Sequence, residues 1–272
     1  MADWRLIKAK RLSICESCSE QFEIGTDIYW SRSLGVIRCV NCGKSELSQA
    51  KESIGTPGKS AQNIVKKKLD ARRERALTLF PKTGKLALRI IPPSKGTQNW
   101  VKGAKAEAEV GELINEFSRK HGFKVLHDRA VPKSKANIDH IIVSETGIFV
   151  VDTKNYEGKI KVKKEPGREG KIVENLYIND LKRNNLISKV KTQVDLVQNV
   201  LTDNGLLYPV YGTLAFFHGE FPIFKRPMRV DGIFINGRGL EKLVTENIPG
   251  LNIDISKAMI VLTKAFPDRS SD

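Results

Sequence analysis

Apolar residues recur along this chain with two different periods, and each change of period marks a change of element. Between Ala104 and His121, the residues Ala108, Val110, Leu113, Ile114 and Phe117 repeat at helical spacing, and Gly122 supplies the stop. Phe123–His127 reads as a short strand. Two nearly continuous apolar runs follow, Ile138–Val143 and Gly147–Val151, of the kind found in strands buried on both faces. Asn184–Leu201 is predicted as a helix carrying Ile187, Val190, Val194, Val197 and Val200. Val210–Phe217 and Arg229–Ile235 read as strands, with Leu240–Glu246 and Ser256–Phe266 as closing helices. This alternation predicts an α/β layer. Further upstream, Ala61–Leu79 places Ile64, Val65, Leu69, Ala76 and Leu77 near one side of a helix, which Pro81, Gly84 and Pro92-Pro93 then interrupt.

The register of the central hairpin follows from its turn. Ser144-Glu-Thr-Gly147 has β-turn composition, and closing a hairpin on it sets Val143 opposite Ile148 and Ile142 opposite Phe149. Counting outward brings Asp139 opposite Asp152, and the period of two puts Lys154 on the same face as Asp152. Directly opposed like charges destabilise a sheet. Mg²⁺ or Mn²⁺ between the carboxylates would remove that cost, and oxygen-only ligands suit these ions.

A second metal pattern lies at the other end of the chain. All four cysteines fall in Cys15-x2-Cys18 and Cys39-x2-Cys42, with twenty residues between the pairs, a spacing that offers four thiolates to one tetrahedral Zn²⁺. Phe22, Ile24, Ile28, Tyr29 and Trp30 flank Gly25-Thr26-Asp27, which reads as a hairpin turn, and Gly43 after the second pair is read as letting amides approach a sulfur. The pattern resembles a zinc ribbon whose metal is structural. No apolar run approaches bilayer length and MADWRLIKAKRL has no signal-peptide core, so the expected compartment is the cytoplasm, where thiols stay reduced. The histidines His121, His127, His140 and His218 lack metal-site spacing and are expected to be structural or exposed.

Composition adds a partner. Forty-six Lys and Arg against 31 Asp and Glu leave a formal charge of +15, which points to a polyanion. Lys66, Lys67, Lys68, Arg72, Arg73 and Arg75 cluster on the upstream helix as a candidate nucleic-acid contact, and Lys161, Lys163, Lys164, Arg168 and Lys171 form a second basic stretch, read as a loop.

The acid–acid–lysine hairpin is similar to that of the PD-(D/E)XK nuclease superfamily. The fuller match is to its nuclease-related domain, NERD. The carrying residues are Gly103 and Glu107, Ile138-Asp139-His140, Gly147-Ile148-Phe149-Val150-Val151-Asp152-Thr153-Lys154-Asn155, and Gly158-Lys159-Ile160. Ile138 replaces the superfamily's proline, Ala106 stands where a glycine commonly precedes the glutamate, and Asp152 occupies a position that is often Glu. Glu109 and Glu112 are alternatives to Glu107. The resemblance implies a restriction-endonuclease-like mixed sheet flanked by helices and a Mg²⁺-dependent phosphodiester hydrolase acting on nucleic acid, DNA before RNA. Asp139 and Asp152 would hold the metal, with Glu107 assisting and Lys154 positioning the nucleophile. Gln193 is carried over as a residue that places water or the lysine. The competing reading is a non-catalytic nucleic-acid-binding or adaptor protein that kept the fold. The expected organisation is a four-cysteine zinc-ribbon-like module over residues 1–45, a basic linker with a helix over 46–98, and the nuclease-like domain over 99–272. Gly55–Gly58 and Pro92–Pro93 are read as hinges, and the four-cysteine module as the contact for nucleic acid or a protein partner.

Overall fold

The computed structural model describes residues 4–31, 35–44, 54–167, 170–222, 228–246 and 252–269, which fall into two compact units divided after Ile54. Arg168 and most of residues 45–54 lie outside the described set.

The first unit is built around its cysteines. Strands β1 (Trp4–Lys8), β4 (Asp27–Ser31) and β5 (Val36–Cys39) form an antiparallel sheet in the order β1-β4-β5, while β2 (Ser13–Ile14) pairs with β3 (Gln21–Phe22). Gly25, at φ 90°, does make a turn, but the strands on either side enter different sheets instead of pairing with each other. The core is small: Ala9, Phe22 and Ile28 around Cys15 and Cys39. Gly43 has a different use from the one expected, since a Cβ there would lie 2.3 Å from Tyr29 Cδ2.

The second unit is a mixed α/β layer. Its main sheet contains β6 (Lys124–Ala130), β7 (Asn137–Ser144), β8 (Gly147–Thr153), β12 (Val210–Ala215), β14 (Met228–Val230) and β15 (Ile233–Asn236), in the order β14-β15-β12-β8-β7-β6. The ladders β6–β7, β7–β8 and β14–β15 are antiparallel, whereas β12 runs parallel to both β8 and β15. The expected single strand Arg229–Ile235 is therefore two, because Asp231 (φ 49°) and Gly232 (φ 81°) reverse the chain between them. A smaller sheet of β9 (Gly158–Pro166), β10 (Ile172–Ile178), β11 (Leu181–Lys182) and β13 (Gly219–Glu220) stands beside it. Lys161, Lys163 and Lys164 lie on β9 rather than in a loop, and they pair with Asp180 and Glu174.

Side-chain alternation assigns the helices to the two faces of the main sheet. Ile142, Phe149 and Val151 meet Val110, Ile114 and Phe117 of the long helix Lys95–His121 and Leu240, Leu243 and Val244 of the short helix Leu240–Thr245. Ile141, Val143, Ile148 and Val150 meet Val197 and Leu201 of Asn184–Asp203 and Ala258 and Leu262 of Ile255–Ala265. In chain order the helices are α1 (Lys59–Leu79), α2 (Gly84–Ile90), α3 (Lys95–His121), α4 (Asn184–Asp203), α5 (Leu240–Thr245) and α6 (Ile255–Ala265).

The stretch expected to be a linker is, from Gly55 onward, part of this second unit. Asp128, wholly buried in β6, accepts hydrogen bonds from the Ser60 amide (2.6 Å) and hydroxyl (2.7 Å) and so caps the start of α1. Asn137 Nδ2 donates to the same carboxylate at 3.0 Å. Pro57 and Gly58 are buried, and α3 passes so close that a Cβ on Gly111 would lie 2.1 Å from Pro57. A Cβ on Gly55 would strike the His127 carbonyl at 2.2 Å. Gly55–Gly58 is thus a packed contact and not a hinge. A carboxylate making several charge-assisted bonds is costly to remove. Asp128→Ala should cost about 2–3 kcal/mol in urea denaturation and speed amide exchange across residues 59–79. Unchanged exchange there would show that something else seats α1.

Candidate active site and cysteine metal centre

The β7–β8 ladder has the register read from its turn, with Ser144 opposite Gly147, Ile142 opposite Phe149 and His140 opposite Val151. Burial holds it there, because a slip of one residue would move every side chain to the other face. One step beyond the ladder, the Thr153 amide donates to Asp139 Oδ2 at 2.9 Å, so Asp139 and the Asp152–Lys154 segment meet at the sheet end.

Asp152 has no solvent exposure, and its two oxygens are taken by two lysines. Lys154 Nζ forms a close ion pair with Oδ2, and Lys189 Nζ, from α4, bonds Oδ1 at 3.2 Å. Burial alone would lower the Lys154 pKa, but Asp152 and then Asp139 outweigh it and hold the ammonium charged. Lys189 was not singled out from the sequence. The available signal was its position four residues before Gln193, on the same helical face.

Glu107 on α3 is the glutamate that lines the cleft. Glu109 instead pairs with Lys105 and His218 at the surface, and Glu112 is exposed. Burial, with Asp139 and Asp128 nearby, pushes the Glu107 carboxyl up to about 9, and its Oε1 is buried without a hydrogen-bond partner. Burial and Asp152 raise Asp139 to about 6. Gln193 is brought to the strand and not to the lysine: its Nε2 donates to the Asn137 carbonyl at 2.9 Å, while Oε1 is buried without a hydrogen bond.

The cleft, of about 600 Å³, is also lined by Ser60 and Ile64 of α1 and by Trp100, Lys135, Lys189 and Arg269. The six clustered basic residues of α1 divide by face, with Arg73 on the side opposite Ile64. Lys67 and Lys68 follow Ile64 by three and four residues and Arg75 follows Lys68 by seven, so these three share the side of α1 that borders the cleft. Arg72 donates to the Ile91 carbonyl, and Lys66 borders a separate groove with Val65, Leu69 and Val101.

His127 and His140 are buried and structural. His127 Nε2 donates to Asn115 Oδ1 at 2.9 Å, so its Nδ1 accepts from His140 Nδ1 at 2.8 Å, which leaves His140 Nε2 to accept from the Thr153 hydroxyl at 3.2 Å. Both rings are neutral in this chain. Burial and then Arg129 lower His127 to about 4, and burial and then His127 take His140 well below its ordinary value.

In the first unit, the four cysteine sulfurs lie within 4.8 Å of one another. All four are free thiols, and Cys18 and Cys39 sulfurs stand 3.8 Å apart, beyond disulfide distance. The Cys39 amide points at Cys15 Sγ (3.2 Å) and the Cys42 amide at Cys39 Sγ (3.3 Å), but at Cys39 the amide is outweighed by burial and the neighbouring Cys42 thiol, which push it up to about 12. Burial opposes ionisation of Cys15, but amides from Cys39, Cys18 and Ser17 prevail and lower it to about 6. This quartet fits a closed, tetrahedral metal site. Among the described residues, Glu107, Asp139 and Asp152 do not converge to the same degree, since two ammoniums sit on Asp152. They nonetheless offer the hard oxygen donors and the unpartnered Glu107 oxygen that a divalent cation takes.

Comparison with known proteins finds a family match within the second unit. The profile of the nuclease-related domain, NERD, matches residues 102–217, a span that contains Glu107, Asp139, Asp152, Lys154 and Gln193. The chain is similar to the uncharacterized protein pXO1-01 of Bacillus anthracis, with 41% identity over 69 residues, 24% of this chain and 32% of the relative. It thus spans about a third of that relative's length. No solved structure matches it.

The raised Glu107 pKa gives a stability signature. An acid whose folded pKa lies above its unfolded one stabilises the fold at low pH and loses that contribution as pH rises through the folded value. With divalent cations chelated, melting temperature should therefore fall between about pH 4.5 and 9, with Asp139 contributing to the lower part of the window. Glu107→Gln should flatten the profile above pH 6 and raise the melting temperature at pH 8. A variant that melts lower at pH 8, with the slope intact, would place the titrating group elsewhere.

Proposed function

With residues 102–217 matching the nuclease-related domain, we propose that this protein is a Mg²⁺-dependent nuclease that hydrolyses phosphodiester bonds, with DNA as its first substrate class. The observation that carries the reading is the pair of lysines on a fully buried aspartate, beside a second carboxylate, at the mouth of a basic cleft. Asp139 and Asp152 are the ligands for Mg²⁺ or Mn²⁺, with Glu107 assisting directly or through water. Bound there, the cation would polarise a phosphoryl oxygen and make a water more acidic.

The chain's own groups do the remaining work. Lys154, held charged by its neighbours, directs an ammonium at the attacking water and at the charge that develops on the phosphorus oxygens. Lys189, Lys135 and Arg269 hold the strand's phosphates across the cleft, and Lys67, Lys68 and Arg75 extend that track along α1. Gln193 fixes the start of β7, and hence Asp139, through the Asn137 carbonyl. In the reaction a bond forms from water oxygen to phosphorus, the bond to one sugar oxygen breaks, and the proton released by water ends on that departing oxygen.

The cysteine module has a different task. Four thiolates leave Zn²⁺ no open position for water, so its metal is structural and the module targets nucleic acid or a protein partner. A reducing, cytoplasmic setting keeps the thiols free for the metal. Among the described residues no helix is long and apolar enough to cross a membrane.

Purified protein with Mg²⁺ should nick or degrade DNA, and Asp152→Asn or Lys154→Ala should lower turnover by roughly 10³-fold or more. Removing residues 1–50 should keep that chemistry and weaken binding or change substrate choice. Cys15→Ser should lose zinc, read by metal analysis of the purified protein. A wild type that binds nucleic acid, with affinity falling steeply in salt but without turnover on any form tried, would favour the adaptor reading instead.

A further inference from the structure

The parallel strands β8, β12 and β15 end on one edge of the sheet, and the acid–lysine site uses only the end of β8. Beside the ends of β12 and β15 opens a second cavity of about 680 Å³, within the usual range for small-ligand sites. Its walls include the Phe217 and Phe221 rings, and its polar groups include Asn236, Arg238 and Lys242. Gly237 matters here, because a Cβ would lie 2.7 Å from the Phe221 ring and 3.2 Å from the Phe216 carbonyl. Only a glycine lets that ring lie against the backbone. Arg238 and Lys242 are exposed, and among the described residues neither forms an ion pair.

This cavity adjoins the first site through two residues. His218, on its wall, hydrogen-bonds Asn155 at 3.0 Å, and Asn155 directly follows Lys154. The Lys154 amide itself donates to the Ala215 carbonyl at the end of β12, one residue before Phe216. The cleft has its own aromatic station in Trp100, which is 43% exposed and lines the wall with Lys135 and Arg269. Aromatic faces interleaved with cations suit a strand whose bases are unstacked, because every free base offers a π-face and every linkage a negative charge. A duplex offers only the charges, since its base faces are already stacked.

We propose that the second cavity holds an unpaired nucleobase of the substrate strand, against Phe217 and Phe221, with Arg238 and Lys242 on the adjoining phosphates. The protein then selects strands with unpaired nucleotides beside the scissile bond. This rests on the nuclease reading and narrows its substrate.

The test is fluorescence-anisotropy binding of labelled DNA oligonucleotides to full-length Asp152→Asn protein in Mg²⁺, as single strand and as blunt duplex of equal length. Single strand should bind about tenfold tighter or more. In the same background, Arg238→Ala/Lys242→Ala should lower the single-strand-to-duplex affinity ratio by about tenfold, and so should Phe221→Leu, which keeps an apolar side chain in place. An abasic nucleotide moved along the strand should weaken binding at one position, and Phe221→Leu should abolish that dependence. Affinities for both forms that fall together, or a ratio indifferent to all three changes, overturn the cavity assignment. Cleavage by the wild type reads the other question. Protein that shows the preference but cleaves nothing overturns the nuclease reading and leaves the cavity assigned, whereas cleavage with indifferent ratios does the reverse.

Discussion

A carboxylate with no exposure, Asp152, sits at the end of a strand buried on both faces, and the packing of the second unit brings partners to it. Leaving such a group unpaired is expensive. Two lysines from different elements remove that cost, Lys154 from the same strand's extension and Lys189 from α4. For Lys189 to arrive, α4 must lie on the face that carries Ile148 and Val150, which is where Val190, Val194 and Val197 pack it. The opposite face takes α3, and α3 delivers Glu107 to the same opening. Packing on two faces thus converges on one charge.

The hairpin was legible because its information is local. A turn of known composition, two runs buried on both faces and a period of two leave a single register, and Asp139, Asp152 and Lys154 follow from it by counting. Glu107 was legible only through the family resemblance, with Glu109 and Glu112 still open, and it took the position of α3 to separate a buried side chain from two surface ones. Lys189 and Asp128 were not legible, since each acts on a residue far away in the chain that no periodicity links to it. The Asp128–Ser60 contact also explains why a basic, Pro- and Gly-punctuated stretch reads as a linker yet is seated on the second unit. Its apolar side is thin, with only Ala61 of α1 buried, so the helix is held by a cap and by glycine-permitted close approach more than by a core. The cysteine pairs were plain in their spacing, but the partner of each short strand was not, because two-residue strands carry almost no pattern.

The histidines show how polar groups are made compatible with a dry interior. His127 and His140 face each other across β6 and β7, wholly buried, and each has both ring nitrogens satisfied. Their chain runs from Asn115 on α3 to Thr153, whose amide holds Asp139. One polar line therefore fixes α3, two strands and the residue between Asp152 and Lys154. A satisfied network of this kind rigidifies, whereas a broken one would leave a buried imidazole nitrogen unpaired.

Against this order, the opening itself is unbalanced. Glu107 holds a proton to about 9 and keeps one oxygen unpartnered, Asp139 titrates near 6, and Lys154 and Lys189 crowd Asp152. Local rules are broken here and satisfied in the neighbouring histidine chain. Proteins concentrate such violations where a ligand completes the set. A cation alone would neutralise the acids but repel the lysines, and a phosphate alone would satisfy the lysines but repel the acids. The two together match both halves, and that complementarity is what the proposed metal-assisted reaction at a phosphodiester rests on.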